Sequence, residues 1–578
     1  MKRGINATWG YLIVEELVRL GAKNFWLSPG SRSAALALAA AEHAEINLHT
    51  HFDERGAAFA ALGAARVSGL PSVLICTSGT AVANYLPAVI EASQSEVPLI
   101  LLTADRPVEK RETGAHQTIN QPGIFSRYVR FEFDVPAPSE EINPAFLLSL
   151  VDRAWAEALS DCRGPVQLNC QFREPLYDES AVNTGYLNGV SPWKRSAKPF
   201  TSYRQPALPV SKATLDFIRD RLESSRRPLF IAGHLNSAIA ARAVSELSEN
   251  FKIPLFADIS SGVFSLSQDD RTAVFKRYDL YCALDEFQEK CSPDLIFHFG
   301  GPFLSKNLVS LIRNSGAACV RINNSPRLKD EFFLADEFIH CDIESFSAAC
   351  SGINISVSAG YLEAVSSAES IADEVISAVL DQSGFNEWNA VRTLFQELPH
   401  GAFVQIANSM PVREADTLIS LNRACNVYTS RGVSGIDGTV ASAAGIACVV
   451  REPVALLTGD LAFLHDLNSL ALLQQVDSPV LVVVLNNNGG AIFGTLPARE
   501  SKHFEKLFIA PHAISSFEMA CRQFKISHQL VRSHDDYLKG IRSWSVSGGV
   551  HLLEVVCDRE ETVSVRDELY RRVEQQFT

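Results

Sequence analysis

Strand-length apolar runs alternate with segments of helical periodicity along this chain, and this alternation is what most restricts the folds it can adopt. The first third alternates in this order: helix 7–21, strand 23–29, helix 33–44, strand 72–79, helix 81–93 and strand 98–105. Short buried strands that alternate with helices predict a parallel sheet covered by helices on both faces. Ligands of such sheets bind beyond the carboxyl ends of the strands.

The same alternation returns twice, each time after a stretch rich in proline, serine or glycine. The later strands are predicted at 227–233, 253–259, 294–301, 318–324, 337–342, 416–422, 426–432, 453–460, 479–488 and 551–558. Residues 186–210 and 351–375 have the composition of linkers. We therefore predict an α/β protein with three doubly wound parallel-sheet domains, at 1–185, 211–350 and 376–578.

Composition restricts the function classes. The 578 residues suffice for roughly three or four domains. A net charge of −14 disfavours nucleic acid as a partner. The twelve cysteines are scattered and form no Cys-x-x-Cys, which is typical of buried, reduced thiols. The N-terminus resembles an amphipathic helix rather than a signal peptide, and the longest apolar runs are too short to span a bilayer. We expect a soluble cytoplasmic protein without an integral membrane segment.

The sharpest local pattern lies in the last third. Gly459-Asp460 closes one predicted strand, and after a helical segment at 465–475 the next strand ends in Asn-Asn-Asn-Gly-Gly at 486–490. A carboxylate and an amide oxygen at neighbouring strand ends are hard ligands of the kind Mg²⁺ prefers, with phosphate oxygens completing its shell. Glycines there let the backbone approach a diphosphate closely. Each half alone is typical of a turn; together, 27 positions apart from Asp460 to Asn487, they are more specific.

This pair of motifs resembles the thiamine-diphosphate (ThDP) enzymes, which contain a GDG…NN pattern at about this spacing. Leu461 replaces the second glycine, a departure that the family tolerates. The resemblance implies that Asp460, Asn487 and the carbonyl of Gly489 ligate Mg²⁺ (or Mn²⁺), with Gly459 beside the diphosphate. It also implies three domains of the ThDP-enzyme type: pyrimidine-binding (1–185), central Rossmann-like (211–350) and diphosphate-binding (376–578).

ThDP enzymes need a carboxylate that contacts N1′ of the aminopyrimidine and promotes its imino tautomer. Glu54, before the long small-residue helix of THFDERGAAFAALGAARVSG, matches that acid. Taken alone, Glu54 is more typical of a solvated charge at a helix start, since Asp53 and Arg55 flank it. With the diphosphate motif present, the resemblance favours the catalytic interpretation. His51 could assist proton transfer, but a packed or solvated histidine remains an equal alternative.

Several segments are closer to one branch of these enzymes. SPGSRSAALALAAAE, TSGTAVANYLPAVIEA, LLTADRP, HQTINQPG, SRGVSGIDGT and LNNNGGAIF resemble the 2-succinyl-5-enolpyruvyl-6-hydroxy-3-cyclohexene-1-carboxylate synthases, the MenD family. The resemblance is strong over 1–185 and 400–500 and thin elsewhere. It implies a transferase that decarboxylates 2-oxoglutarate and adds the product to isochorismate, in menaquinone or phylloquinone biosynthesis. It also implies a homodimer or a dimer of dimers, with the cofactor between domains of different subunits.

The arginine pattern agrees with substrates that bring several carboxylates into one pocket, because guanidinium groups bind carboxylates through two parallel hydrogen bonds. Arg32, Arg106 and Arg431 each follow a predicted strand end. Arg413 is assigned mainly through the resemblance. Any one arginine taken singly is more typical of a surface ion pair, so the set carries the argument.

The resemblance assigns further residues. Ser31, Gln117 and Ser409 would be polar substrate contacts; Ile436 would bend the cofactor; Ile492 and Phe493 would line the pocket. His116 stands where an asparagine is expected, and Lys306 is a candidate basic residue of the central domain.

Two other functions stay open. Another ThDP-dependent 2-oxoacid decarboxylase or an acetolactate-synthase-like carboligase would share the cofactor residues but not need the arginines. A non-catalytic relative should have lost Glu54 or Asp460, and both are present. Gly300-Gly301 lacks the rest of a dinucleotide fingerprint, so a tight turn is the favoured interpretation.

Overall fold

The computed structural model describes residues 4–177, 183–204, 207–266, 272–419 and 424–577. The chain forms two compact units. The first comprises Met1–Gln205, Ser430–Val454 and Ala462–Val480, and the second comprises Pro206–Thr429, Ala455–Leu461 and Leu481–Thr578. Among the described residues, none of the helices combines the length and apolar composition needed to cross a bilayer.

Eighteen described strands form three six-stranded sheets, as the alternation predicts. The first contains β1 (Asn24–Leu27), β2 (Asn47–Thr50), β3 (Ser72–Cys76), β4 (Leu99–Asp105), β5 (Phe131–Val135) and β6 (Pro165–Gln171). The second contains β7 (Pro228–Ala232), β8 (Leu255–Ala257), β9 (Val274–Phe275), β10 (Leu295–Phe299), β11 (Ala318–Asn323) and β12 (Glu337–His340). The third contains β13 (Phe403–Ile406), β14 (Asn426–Thr429), β15 (Val454–Gly459), β16 (Val480–Asn486), β17 (Ser527–Val531) and β18 (Val550–Val556).

The helices that cover the first sheet and its linker are α1 (Ile5–Leu20), α2 (Ala34–Glu42), α3 (Glu54–Ser68), α4 (Thr80–Asn84), α5 (Leu86–Ser95), α6 (Pro144–Ala158) and α7 (Ser191–Lys194). The central region contains α8 (Lys212–Ser224), α9 (Ala238–Phe251), α10 (Tyr278–Tyr281), α11 (Asp285–Cys291), α12 (Lys306–Ser315), α13 (Ile343–Cys350) and α14 (Tyr361–Gln382). The last third contains α15 (Glu387–Glu397), α16 (Met410–Leu418), α17 (Thr439–Ala447), α18 (Asp460–His465), α19 (Glu518–Gln523), α20 (His534–Ser547) and α21 (Arg559–Phe577).

Strand order separates the three sheets into two kinds. The first runs β2-β1-β3-β4-β6-β5, and the third repeats that pattern as β14-β13-β15-β16-β18-β17. The second runs β12-β11-β10-β7-β8-β9. When β7 is counted as the first strand and the order is read from the β9 edge, this is the 3-2-1-4-5-6 order of Rossmann-type sheets. Neighbouring strands pair in parallel, so each sheet presents its strand ends along one edge.

One sequence prediction of secondary structure is wrong. The strand predicted at 416–422 begins inside α16, and residues 420–422 lie outside the described residues. Val412, Ala415 and Leu418 are buried at helical spacing. This spacing favours a helix up to Leu418, although the apolar residues of 416–422 had suggested a strand. The predicted linker at 351–375 runs into α14, a 22-residue helix that buries apolar residues from Tyr361 to Leu380 along one face.

The predicted linker at 186–210 is also more ordered than its composition suggests. Residues 186–194 form a 3₁₀ turn and α7, and Trp193 is buried. Two buried carboxyl groups hold this segment: Glu16 accepts hydrogen bonds from the indole of Trp193 and from the Phe200 N–H, and Asp152 accepts one from the Thr201 N–H at 2.7 Å. The domain boundaries themselves remain predictions.

Close packing explains two other sequence features. A Cβ at Gly300 would lie 2.4 Å from the His234 carbonyl oxygen, and one at Gly233 would lie 2.0 Å from that of Gly301. The Gly300-Gly301 pair thus allows two loops to pack closely, in agreement with the tight turn predicted from the sequence. All twelve cysteines are free thiols, nine of them buried, in agreement with the composition argument.

The Glu16–Asp152 pair generates a prediction about pH. Burial and the bond to Glu16 raise the pKa of Asp152 to about 8, so the folded protein keeps a proton that the unfolded chain loses near its ordinary pKa of 3.8. This group therefore costs stability progressively as pH rises from about 4 to about 8. Asp152→Asn imitates the protonated form and should reduce the fall in Tm between pH 5 and pH 9, measured by thermal denaturation. A variant with the wild-type pH dependence would contradict the shared proton.

Candidate functional site

Glu54 lies at the carboxyl edge of the first sheet, as the first residue of α3, just beyond β2. Its neighbour Asp53 caps the helix, because the Asp53 side chain accepts hydrogen bonds from the N–H groups of Arg55 and Gly56. Within the described residues, the Glu54 carboxylate accepts no protein hydrogen bond. Capping of α3 therefore does not use the Glu54 side chain, and its carboxylate is available to a ligand.

Two groups near Glu54 are buried. Burial chiefly raises the pKa of the Tyr85 hydroxyl, and the charges of Cys76 and Glu54 raise it further, so the region near this acid is poorly solvated. His51 is 3% exposed, and neither ring nitrogen has a hydrogen-bond partner among the described residues. Burial lowers the pKa of His51, and a Cβ at Gly56 would lie 2.6 Å from its Nε2 atom. The ring is thus packed and neutral against the start of α3.

The loop at 430–438 belongs to the same compact unit as Glu54 and contains Arg431 and Ile436. The Ile436 side chain is 40% exposed. Gly438, at the loop's end, has φ 67°, and a Cβ there would lie 2.0 Å from the Phe59 ring of α3. Only glycine allows this approach, so the loop ends beside Phe59, five residues after Glu54 on α3.

Helix α17, which follows this loop, packs closely on α3. A Cβ at Gly63 would lie 2.2 Å from the Ser442 carbonyl oxygen, and one at Gly445 would lie 1.9 Å from that of Ala60. Small residues at these positions are required for the two backbones to come so near.

The other predicted substrate residues of this unit lie at the same sheet edge. Ser31 and Arg32 follow β1, and Arg106 follows β4. The Arg32 guanidinium is buried and donates to the Phe172 carbonyl at 2.9 Å. Gln117 has φ 54° and donates from its side chain to the Ser78 carbonyl at 2.9 Å.

Arg106 donates to the main-chain carbonyl of His116, at 3.2 Å from Nε and 3.0 Å from Nη2. Among the described residues it makes no ion pair, so its positive charge is not compensated by the protein. Because Arg106 binds the main-chain carbonyl of His116, this hydrogen bond does not require the asparagine side chain that was expected at position 116.

The second unit contains the diphosphate motif at the carboxyl ends of β15 and β16. Asp460 is 2% exposed. Its Oδ2 atom accepts hydrogen bonds from the Gly489 N–H at 2.9 Å and from His512 Nε2 at 3.1 Å, and its Oδ1 atom accepts one from the Leu461 N–H at 2.7 Å. Burial raises the pKa of Asp460, and these hydrogen bonds oppose that effect. The sequence analysis missed His512, which lies 52 residues from Asp460 in a loop without a motif.

Asn487 presents an oxygen without a protein partner. Its Nδ2 atom donates to Glu387 at 2.6 Å, whereas its buried Oδ1 atom has no partner among the described residues. Asn488 and Gly489 both have positive φ, 59° and 129°, which turns the chain sharply after β16. A Cβ at Gly459 would meet no protein atom within 4 Å, so open space lies beside that backbone.

These features fit a divalent cation and a diphosphate. A buried carboxylate and an orphaned amide oxygen, with the Gly489 carbonyl, would supply hard ligands, and the space beside Gly459 admits phosphate. Within the described ranges, no cluster of three or more His, Cys, Asp or Glu side chains is arranged to hold a metal ion. A metal at this edge would therefore depend on amide and carbonyl oxygens as well as on Asp460.

Glu387 is the second residue that sequence reasoning missed. It lies on α15, is fully buried and pairs with Glu414 of α16. Burial raises the pKa of Glu387. Burial also raises the pKa of Glu414, and the neighbouring Glu387 carboxyl group raises it further. The contact with Asn487 spans 100 residues, so no local pattern could reveal it.

The remaining predicted residues lie elsewhere in the second unit. Ser409 has φ 78° and precedes α16, where Arg413 donates to its carbonyl at 2.7 Å. Ile492 and Phe493 lie on the 3₁₀ turn after the asparagine motif, and the Phe493 ring packs 5.8 Å from that of Phe508. Lys306 is exposed at the start of α12.

The Glu387 contact predicts a dependence of cofactor binding on this residue. Glu387→Ala should weaken Mg²⁺-dependent ThDP binding roughly 10–100-fold, because the Asn487 amide loses the acceptor that fixes its orientation. Glu387→Gln keeps an acceptor of the same size and should stay near wild type. Isothermal titration calorimetry provides the affinities, and equal affinity for the alanine variant and the wild type would refute the positioning role.

Comparison with known proteins agrees with this geometry. Three family models match: the N-terminal TPP binding domain of thiamine pyrophosphate enzymes over residues 7–124, their middle domain over 184–404, and their C-terminal TPP binding domain over 410–555. The last of these includes Asp460 and Asn487.

Curated relatives match along the whole chain. Proteins named 2-succinyl-5-enolpyruvyl-6-hydroxy-3-cyclohexene-1-carboxylate synthase are 40% identical in Chlorobium phaeobacteroides (99% of this chain, 98% of the relative), 39% in Rubrobacter xylanophilus (98% of both) and 38% in Salinibacter ruber (98% and 96%). Such identity over nearly full length decides the family. The chain belongs to the 2-succinyl-5-enolpyruvyl-6-hydroxy-3-cyclohexene-1-carboxylate synthases, a family of ThDP-dependent enzymes.

Proposed function

We propose that this enzyme decarboxylates 2-oxoglutarate and joins the resulting four-carbon unit to isochorismate, releasing CO₂, in menaquinone biosynthesis. Full-length similarity to the named synthases supports the reaction. The observation that carries the cofactor assignment is the buried, unpartnered Oδ1 atom of Asn487. Asn487 lies on the turn whose Gly489 N–H binds the carboxylate of Asp460. An orphaned buried acceptor is costly unless a ligand satisfies it.

The metal and cofactor residues have separate tasks. Asp460, Asn487 and the Gly489 carbonyl would hold Mg²⁺ (or Mn²⁺), which neutralises the diphosphate, while the open space at Gly459 admits it. Bound ThDP supplies the electron sink for loss of CO₂ from a 2-oxo acid. Glu54 would hold a proton at N1′ of the aminopyrimidine, and the exposed Ile436 side chain of the 430–438 loop would be an apolar contact that supports the cofactor.

Cationic and polar residues would orient the two acidic substrates. Arg32, Arg106, Arg413 and Arg431 offer guanidinium groups for the substrate carboxylates. The uncompensated charge of Arg106 supports this role most directly, since a bound carboxylate would complete its hydrogen bonding. Ser31, Gln117 and Ser409 would add polar contacts, and Ile492 and Phe493 an apolar wall.

The direct test is incubation of the enzyme with ThDP, Mg²⁺, 2-oxoglutarate and isochorismate, following the loss of isochorismate absorbance. We expect loss only when all four are present. Replacement of 2-oxoglutarate by pyruvate distinguishes an acetolactate-synthase-like carboligase, which would consume pyruvate without isochorismate. That outcome would overturn the proposed reaction.

Glu54→Gln should bind ThDP nearly as tightly as wild type but turn over roughly 10²–10⁴-fold more slowly, because the amide keeps size and hydrogen bonding but cannot manage the proton. Proton–deuterium exchange at the thiazolium carbon should slow in parallel. Exchange at the wild-type rate in this variant would remove Glu54 from the role.

We further propose a cytoplasmic homodimer, or dimer of such dimers, in which the N-terminal domain of one subunit serves the diphosphate-binding domain of the other. Twelve free thiols support a reducing compartment. Within one chain, α3 already packs on α17, and an exchanged dimer would make the same contact between two chains. Mixing inactive variants distinguishes these arrangements.

A mixture of Glu54→Ala and Asp460→Ala chains tests the exchanged arrangement. In a mixed exchanged dimer, one site has both defects and the other has none. About half of randomly re-associated dimers are mixed, so activity should recover to about a quarter of wild type. Verified subunit exchange without recovery would place both residues of one site in the same chain.

A further inference from the structure

A buried ion pair lies directly beneath the 430–438 loop in the first compact unit. Glu91 of α5 and Arg66 of α3 contact each other at 2.6 Å, and their side chains are 2% and 7% exposed. Arg66 also donates to the Ser430 hydroxyl at 3.0 Å, at the point where the loop begins.

The Glu91 carboxylate reaches the loop backbone itself. Its Oε1 atom accepts a hydrogen bond from the Gly432 N–H at 3.0 Å, and its Oε2 atom accepts one from the Val433 N–H at 2.8 Å. Ser95 donates a further bond to Oε1 at 2.6 Å. The carboxylate is therefore fully satisfied, and two of its four partners are the main-chain N–H groups of the two residues that directly follow Arg431.

The loop needs such an anchor because its own conformation is unfavourable. Ser434 has φ 56°, a region that side-chain-bearing residues rarely adopt and that persists only when the surroundings enforce it. A Cβ at Gly432 would lie 2.6 Å from the Ser95 hydroxyl, so the loop presses on α5 there. With Gly438 fixed against Phe59, the loop is held at both ends while Ile436 between them stays exposed.

We infer that Glu91 is a positioning residue for the reaction: its buried carboxylate fixes the 430–438 loop, and through it Arg431 and Ile436. This inference rests on the proposed function for the roles of those two side chains. Arg66 neutralises the carboxylate and fixes its orientation, and Ser95 completes its hydrogen bonds. Glu91 itself contacts neither substrate nor cofactor.

Glu91→Gln tests the inference. Its amide has a single acceptor oxygen, so the –NH₂ group must face Arg66 or one of the loop N–H groups, and the loop should loosen. In the protein without ligands, trypsin should cut after Arg431 about tenfold faster under native conditions, as mapped by mass spectrometry. In the assay, the KM for a carboxylate substrate should rise about tenfold, as expected for loss of a hydrogen bond to a charged group.

Glu16→Gln is the matched control, since Glu16 is equally buried in the same unit but holds Trp193 and Phe200 instead of the loop. It should change neither the Arg431 cleavage nor the KM. Should Glu91→Gln fail to fold, Glu91→Asp keeps the charge opposite Arg66 but is one methylene too short to reach both loop N–H groups. It should show the same two effects.

Unchanged cleavage in the folded Glu91 variant would overturn the inference. Faster cleavage with unchanged KM and kcat would overturn it as well, because the loop would then be anchored without consequence for the reaction. Cleavage is measured without substrate or cofactor, and wild-type synthase activity is measured separately. A failure of the proposed reaction is therefore distinguishable from a failure of the anchor.

Discussion

Buried carboxylates that accept backbone and amide hydrogens hold the functional loops of this protein in place. Asp460 binds the Gly489 N–H, Glu387 binds the Asn487 amide, and Glu91 binds two N–H groups of the 430–438 loop. Glu554 repeats the arrangement beneath Asn486 and the Phe517 N–H. Loops have few apolar contacts of their own, so these charge-assisted bonds give them the defined conformations that a ligand site needs.

A buried carboxylate is least costly when hydrogen-bond donors fill all of its acceptor positions. A buried carboxylate loses its hydration, and the loss is offset when charged and neutral donors surround it completely. Glu91 meets this condition with four donors from three parts of the chain. The Asn487 Oδ1 atom has no protein donor among the described residues, and the same is true of Glu387 Oε2 and of both Glu414 oxygens. Of these atoms, Asn487 Oδ1 is the one for which we propose a cation ligand.

The shared strand order of the first and third sheets explains where the candidate groups lie. In both, polar residues follow the ends of the central parallel strands, so one sheet edge gathers Ser31, Arg32 and Arg106 and the other gathers Asp460 and Asn487. The central sheet has a different order, and its paired glycines serve loop packing. Family similarity covers all three regions, yet the candidate chemistry lies in the outer two.

The sequence by itself determined the α/β class, three parallel sheets and most central strands, because continuous apolar runs record burial on both faces. It also identified Glu54, Asp460 and Asn487 as candidate site residues, because their signals are local motifs. Edge strands such as β2 and β17 were not predicted from the sequence, because half-exposed short strands contain no continuous apolar run. Helix α14 was not predicted, because its serine-rich N-terminal half was interpreted as a linker although its apolar residues recur at helical spacing. Only the tertiary structure decided which residues support the site: Glu91, Glu387 and His512 act across 341, 100 and 52 residues. Contacts at that separation arise from packing of whole elements, which leaves no pattern in the neighbouring sequence.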